Sequence, residues 1–230
     1  MSVAIERKGT IMKIGIIGAG HIGGNLTRRL TALGHEVSVA NSRGPETLTE
    51  LVAETGATAV TVKEAPRGAA VVVVTIPLKN IPDLPSDLFA ESAEGVAVID
   101  TGNYYPQQRD GRIAAIEDGT TESRWTAQHL GHTVVKAFNG TYAQHILDKP
   151  RPKGAADRVA LPVAGDDEAA KQTVRALIDE LGFDTVDAGG LDESWRQQPG
   201  TPVYGLVAGA DEVAKALAGA GPERTADFKG

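Results

Sequence analysis

The chain of 230 residues carries a formal net charge of −7, contains no cysteine and is only 4% aromatic. Disulfides, thiolate metal sites and cysteine nucleophiles are therefore excluded, and the acidic balance argues against a nucleic-acid partner, which selects basic stripes. The longest apolar stretch, 69–76, is too short to span a membrane, so the expectation is a cytoplasmic protein of one large domain or one and a half, with no membrane partner.

Residues 1–10 are polar and lack the apolar segment of a secretory signal, so 1–11 read as a dispensable extension. An apolar run over 11–17 then enters the G-x-G-x-x-G turn Gly18-Ala19-Gly20-His21-Ile22-Gly23. A helical stretch follows, with Leu26, Leu30 and Leu33 inward and Thr27, Arg28 and Arg29 outward, and a second apolar run ends at Ala40. This is the βαβ opening of a dinucleotide-binding fold. Gly18 permits the tight turn, Gly20 lets a pyrophosphate approach the backbone, and Gly23 lets helix pack on strand. The helix N-terminus adds unpaired N–H groups and a positive dipole end. An NAD-selective site needs a carboxylate at the end of the second strand. This chain has Asn41-Ser42-Arg43 there, with no acid before Glu46. Arg43 can pair with a 2′-phosphate and Ser42 can donate to it, so NADP(H) is the expected cofactor.

Gly44-Pro45-Glu46 starts a second helix reaching about residue 54, followed by a strand over 58–62. The valine-rich run 70–76 suits a strand buried on both faces of a parallel sheet. It closes at Thr75-Ile76-Pro77, on the carboxyl edge where ligands collect. Residues 82–89 read as a loop with a short helix, and 96–100 as another buried strand ending in Thr101-Gly102-Asn103. The polar segment 107–119 is turn-rich, 123–130 suits a helix, and 132–139 forms a sixth strand ending in Lys136-Ala137-Phe138-Asn139. Beyond it come an exposed loop (151–158), a strand (159–164) and a helix. That helix opens on Asp166-Asp167-Glu168, whose charges complement its dipole, and is closed by Gly182. A strand over 183–188, an irregular stretch over 189–204, a last helix over 208–218 and a frayed end over 219–230 complete the reading.

The expected fold class is α/β: a Rossmann-type, doubly wound, mainly parallel sheet with a small β-α-β C-terminal extension. Residues 11–140 would form the NADP-binding domain, and 141–230 a smaller unit walling the acceptor cleft. Asn103 and Asn139, at neighbouring strand ends, either position a carboxamide or acceptor ring or make Asx turns. Lys136 is either a contact to cofactor or acceptor or a solvated strand-end charge; Phe138 is either a ring platform or core. Trp195, Arg196 and Tyr204 either touch an acceptor or pack on the domain. His129, His132 and His145 have no metal-like spacing with acids, and no metal is expected.

The stretches Met12-Lys-Ile-Gly-Ile-Ile-Gly-Ala-Gly, Ala40-Asn-Ser-Arg-Gly-Pro-Glu-Thr-Leu, Ile99-Asp-Thr-Gly-Asn-Tyr-Tyr-Pro and Val135-Lys-Ala-Phe-Asn resemble the coenzyme F420-dependent NADP oxidoreductase family. So do Ala164-Gly-Asp-Asp and the later Trp195-Arg and Pro-Gly-Thr-Pro, giving a resemblance over roughly 12–205. It implies hydride transfer between NADPH and a flavin-like acceptor, the 5-deazaflavin coenzyme F420 in the founding members, with FMN or FAD as alternatives. By position it places residues 18–24 on the pyrophosphate, with Ser42 and Arg43 on the 2′-phosphate. It puts Thr75, Ile76 and Pro77 beside the ribose, and Lys136, Ala137, Phe138 and Asn139 beside the nicotinamide. Such chemistry asks little of side chains beyond positioning. Two alternatives stand beside it: an NADPH-dependent reductase of a small imine, ketone or hydroxy acid, and a non-catalytic NADP-binding sensor. A small-molecule acceptor and a homodimer closing the cleft are further expectations.

Overall fold

The computed structural model describes residues 10–230; residues 1–9 of the expected extension lie outside them. In chain order the elements are β1 (Lys13–Ile17), α1 (His21–Ala32), β2 (Glu36–Ala40), α2 (Thr49–Thr55), β3 (Thr58–Ala59), β4 (Val71–Val74) and β5 (Ala97–Asp100). There follow α3 (Ala114–Glu117), α4 (Glu122–Leu130), β6 (Val135–Lys136), α5 (His145–Asp148), β7 (Ala160–Gly165), α6 (Glu168–Leu181), β8 (Asp184–Asp187) and α7 (Ala210–Ala218). The strands form one eight-stranded sheet in the order β3-β2-β1-β4-β5-β6-β7-β8. All neighbours run parallel except β6 and β7, which pair antiparallel with Val135 opposite Gly165. Strand order reverses between β1 and β4, and in open α/β sheets that switch point opens a crevice at the carboxyl ends.

The four valines of β4 show why the central strands carry no polar alternation. Val71 and Val73 join the core beneath α1 and α6, with Leu26, Leu30 and Leu177, whereas Val72 and Val74 join Leu78, Trp125 and Leu130 on the other face. With both faces covered, every position must be apolar. The α6 helix is closed at both ends by its own sequence. Asp167 Oδ1 accepts from the Ala169 and Ala170 N–H groups at 2.9 and 3.1 Å, and Gly182 takes the left-handed conformation (φ +99°) that ends it. Its buried Leu177, Ile178 and Leu181 each contribute roughly 1.5–3 kcal/mol by leaving water.

Several boundaries differ from those expected. The 45–54 helix is split into a 3-10 turn, Pro45–Leu48, and α2. The sixth strand, expected over 132–139, is only two residues long, because Phe138 turns the chain with φ +64°. The end of the chain is not frayed. Arg224 Nη1 lies 2.9 Å from Glu122 Oε1, Gln107 Nε2 donates to the carbonyls of Ala226 and Lys229, and the Gly230 N–H donates to Glu117. Among the described residues, no helix is long and apolar enough to cross a membrane.

Candidate functional site

The turn after β1 is shaped by contacts that leave no room for side chains. Gly18 sits at φ +110° and donates its N–H to Ala40 O at 2.8 Å; a Cβ there would strike the Thr75 carbonyl. A Cβ on Gly23 would strike the carbonyl of Gly18, so α1 packs on β1 at a distance only glycine allows. Gly20 is different: nothing lies within 4 Å of its Cβ position. It is the N-cap of α1, with no side-chain cap and no acid in the first turn, so its face is open to an anion. This is a cradle that fits a pyrophosphate. His21 is exposed at the same end, contributing its backbone.

At the end of β2, Asn41 Oδ1 accepts from the Arg43 N–H at 2.9 Å, and its Nδ2 donates to Thr47 Oγ1 at 2.9 Å. Asn41 therefore builds the turn and presents Ser42 and Arg43, both exposed. Among the described residues the Arg43 guanidinium forms no ion pair. A cavity of about 560 Å³ runs from Gly18–Gly20 past Asn41, Ser42 and Arg43 to Thr75, Ile76 and Pro77.

A second cavity, of about 300 Å³, continues from Thr75, Ile76 and Pro77 over the ends of β5 and β6. Ile22, Asn103, Phe138 and Asn139 line it, together with Tyr105, Arg109, Tyr142 and Tyr204. Asn103 and Asn139 brace each other. Asn103 Nδ2 donates to Asn139 O at 2.8 Å, and Asn139 Nδ2 donates to Asn103 Oδ1 at 3.0 Å and to Gln197 O at 2.7 Å. Gln197 Nε2 returns a bond to Asn139 Oδ1 at 3.0 Å. Both hydrogens of the Asn139 amide are thus spent on protein.

The expectation of Lys136 beside the nicotinamide is not met by its side chain, which is fully buried. Its Nζ lies 3.1 Å from Glu122 Oε2 and donates to Gly102 O at 3.2 Å. An unpaired ammonium in this interior would be very costly, and Glu122 compensates it while also receiving Arg224. Ala137 is likewise buried and lines neither cavity, while Phe138, although 2% exposed, does reach the second one. Trp195 faces elsewhere, with Arg196 stacked 4.3 Å from its ring centre. Asp166 pairs with Arg124 at 2.6 Å rather than capping α6.

Tyr105 and Tyr204 share a hydrogen bond between their hydroxyls. The Arg109 guanidinium lies 4.9 Å from the Tyr105 ring centre, held by Asn103 O at 2.6 Å and by Asp110 at 3.0 Å. Burial, and then the Tyr204 hydroxyl, push the Tyr105 phenol well above the ordinary range, against the opposing charge of Arg109. Sequence reasoning missed Tyr105, Arg109 and Tyr142. Tyr105 had a usable signal, lying just past a buried strand on the carboxyl edge.

Residues 13–104 match the family described as NADP oxidoreductase, coenzyme F420-dependent. A structure of a hypothetical protein, SMa0349 from Sinorhizobium meliloti, is 30% identical, with a TM-score of 0.71, covering 86% of this chain and 94% of that one. A candidate F420-dependent NADP-reductase from Arthrobacter sp. FB24 shares the fold at 24% identity and a TM-score of 0.60, over 78% of this chain and 86% of that one. Among curated proteins, YjhV of Escherichia coli (strain K12) is 51% identical over 53 residues, which span 23% of this chain and 39% of that protein. The nucleotide cradle, the family signature and a relative similar over nearly its whole length agree: the chain belongs to the coenzyme F420-dependent NADP oxidoreductase family, a family of NAD(P)-dependent oxidoreductases.

Proposed function

We propose that the protein transfers a hydride between NADPH and a flavin-like acceptor: the deazaflavin F420, FMN or FAD. The observation that carries this reading is the shared wall. Thr75, Ile76 and Pro77 line both the cavity at the glycine turn and the cavity over β5 and β6. A dinucleotide laid along the first would deliver its nicotinamide into the second.

In this reading the backbone of Gly18, Ala19, Gly20, His21, Ile22 and Gly23 holds the pyrophosphate at the α1 N-terminus. Arg43 and Ser42 hold the 2′-phosphate, and Thr75, Ile76 and Pro77 flank the ribose. Asn139 acts through Asn103, fixing the β5 and β6 ends so that the two rings meet face to face. Lys136 and Ala137 support this from within the core. When bound, the nicotinamide supplies the hydride; the chain supplies alignment and exclusion of water.

The test is anaerobic mixing of protein and NADPH with oxidised F420, FMN and FAD in parallel, following each chromophore. Bleaching of any of them supports the reading and names the acceptor. Tight NADPH binding with no bleaching overturns it. One observation favours a second reading: about 300 Å³ is at the small end of ligand pockets, a size suited to a small ketone, imine or hydroxy acid. Turnover with such a substrate and none with flavins would select that reading.

A further inference from the structure

Resting on the hydride-transfer reading, we propose that the hydroxyl pair of Tyr105 and Tyr204 is the proton donor to the acceptor, with Arg109 positioning it and stabilising the tyrosinate that forms. Hydride transfer to a conjugated ring drives an electron pair onto a ring nitrogen or oxygen, and that atom needs a proton or a strong hydrogen bond. His21, at the glycine turn, and the buried Lys136 line neither cavity, and Asn139 has both its amide hydrogens on protein.

Of the hydroxyls that line the second cavity, those of Tyr105 and Tyr204 form a half-buried, mutually bonded pair, whereas Tyr142 is 63% exposed. Both side chains line that cavity, and they come from segments 99 residues apart. In a pair of hydroxyls joined by one hydrogen bond, one proton lies between the oxygens and the other remains free for a ligand. Arg109 is built to assist. Its Nε and one terminal nitrogen are tied to Asp110 and Asn103, while its other terminal nitrogen has no hydrogen-bond partner among the described residues. The guanidinium so fixed faces the Tyr105 ring at 4.9 Å. The phenol is protonated at neutral pH, as any tyrosine is; burial raises it further, and the opposing charge of Arg109 eases its ionisation as the acceptor draws the proton.

The balance is as follows. The acceptor takes up a hydride, two electrons and one hydrogen nucleus, from NADPH, which becomes NADP+. The free phenol proton passes to the ring heteroatom where the electron pair arrives. The second hydroxyl refills the first, and water entering past Tyr142, which is 63% exposed, returns the proton to the pair. The net consumption is one proton per turnover.

The test uses the full chain with Tyr105→Phe, Tyr204→Phe and the double variant. In the dead-end complex with NADP+ and oxidised F420 or FMN, wild type is expected to displace the acceptor's visible band on binding, and each variant to lose that displacement. In turnover, each single variant should lower kcat about 100-fold, abolish the solvent deuterium isotope effect and leave NADPH affinity unchanged. The double variant should be little worse than either single one. An unchanged band displacement and isotope effect in both single variants overturns the proposal. So does a raised KM with unchanged kcat, which would make the pair a binding contact only. A wild-type chain that binds NADPH but reduces no acceptor overturns the hydride-transfer reading and this one with it, a result distinct from active but unaffected variants.

Discussion

The two halves of the groove are built by opposite strategies. The glycine-turn side is built around backbone from residues 17–20 and 41–43, walled by Val62 and by residues from 75–85; Gly20 faces open space, and the Arg43 guanidinium forms no ion pair among the described residues. The side over β5 and β6 is made mainly of side chains drawn from Ile22 and from residues 75–77, 101–109, 138–143 and 204. Asn103, Asn139 and Gln197 are mutually bonded, and beneath them Lys136, Glu122 and Arg224 form a buried ion cluster. A ligand common to many proteins is met by backbone, which every sequence possesses. In the proposed hydride transfer, discrimination between acceptors would fall to the side chains, which must be locked to discriminate.

The contrast can be broken at its most heavily buried point. Glu122→Gln leaves Lys136 and Arg224 without their carboxylate and should cost about 3–5 kcal/mol, a fall in Tm on the order of 10 °C by thermal melting. Wild-type melting would mean the cluster does not tie β5 to β6. On the other side, Gly23→Ala drives a Cβ into the Gly18 carbonyl and should cost about 1–3 kcal/mol, with loss of NADPH binding. Gly20→Ala, with nothing within 4 Å, should melt within about 1 kcal/mol of wild type yet bind NADPH more weakly. If both glycine variants lose stability equally, the open face of Gly20 is not a ligand face.

Arg43→Ala should weaken NADPH binding by about 1.5–3 kcal/mol, tenfold or more by calorimetry, and leave NADH binding and Tm unaltered. Equal weakening of both nucleotides would remove Arg43 from the 2′-phosphate. The smallest effect concerns Asp166. Burial raises its carboxyl, but the Leu191 N–H and Arg124 outweigh this and hold it below the usual range. A depressed folded value means its contribution is complete above the ordinary carboxylate range and is lost as pH falls through the folded value. Asp166→Asn should therefore flatten the acid limb of a pH–stability profile by less than about 1 kcal/mol, the pair being partly exposed.

What was legible in the sequence follows the same division. The β1–α1–β2 unit is encoded locally, so three glycines at fixed spacing and the acid-free Asn41-Ser42-Arg43 suffice to read its order and geometry. The valines of β4 announce a strand covered on both faces. The length of β6 was not legible, because Val135-Lys136-Ala137-Phe138 has an unbroken strand pattern; the chain turns left-handed at Phe138, just before Asn139 bonds to Asn103 and Gln197, residues 36 and 58 positions away. Lys136 read as a strand-end charge because its counter-charge, Glu122, lies on another element. The end of the chain read as frayed because Arg224 finds that same carboxylate 102 residues away. Long-range ion pairs leave no local pattern.

The antiparallel turn of β7 has a consequence for how such a groove can be altered. Since β7 and β8 run against β6, the chain leaves β8 beside Gly165, where the Gly165 N–H meets Gly189 O, and must return toward the groove. It does so along one strap, pinned midway where Gln197 meets Asn139 and at its end where the Gly205 N–H meets Gly140 O, just after Tyr204 is delivered. The strap contributes no strand to the sheet and no residue to the glycine-turn cavity. Gln198 on Arg224 and Val203 in the core hold the segment between those two pins, so replacing Tyr204 alone exchanges what stands opposite Tyr105 while the glycine-turn cavity stays as it was.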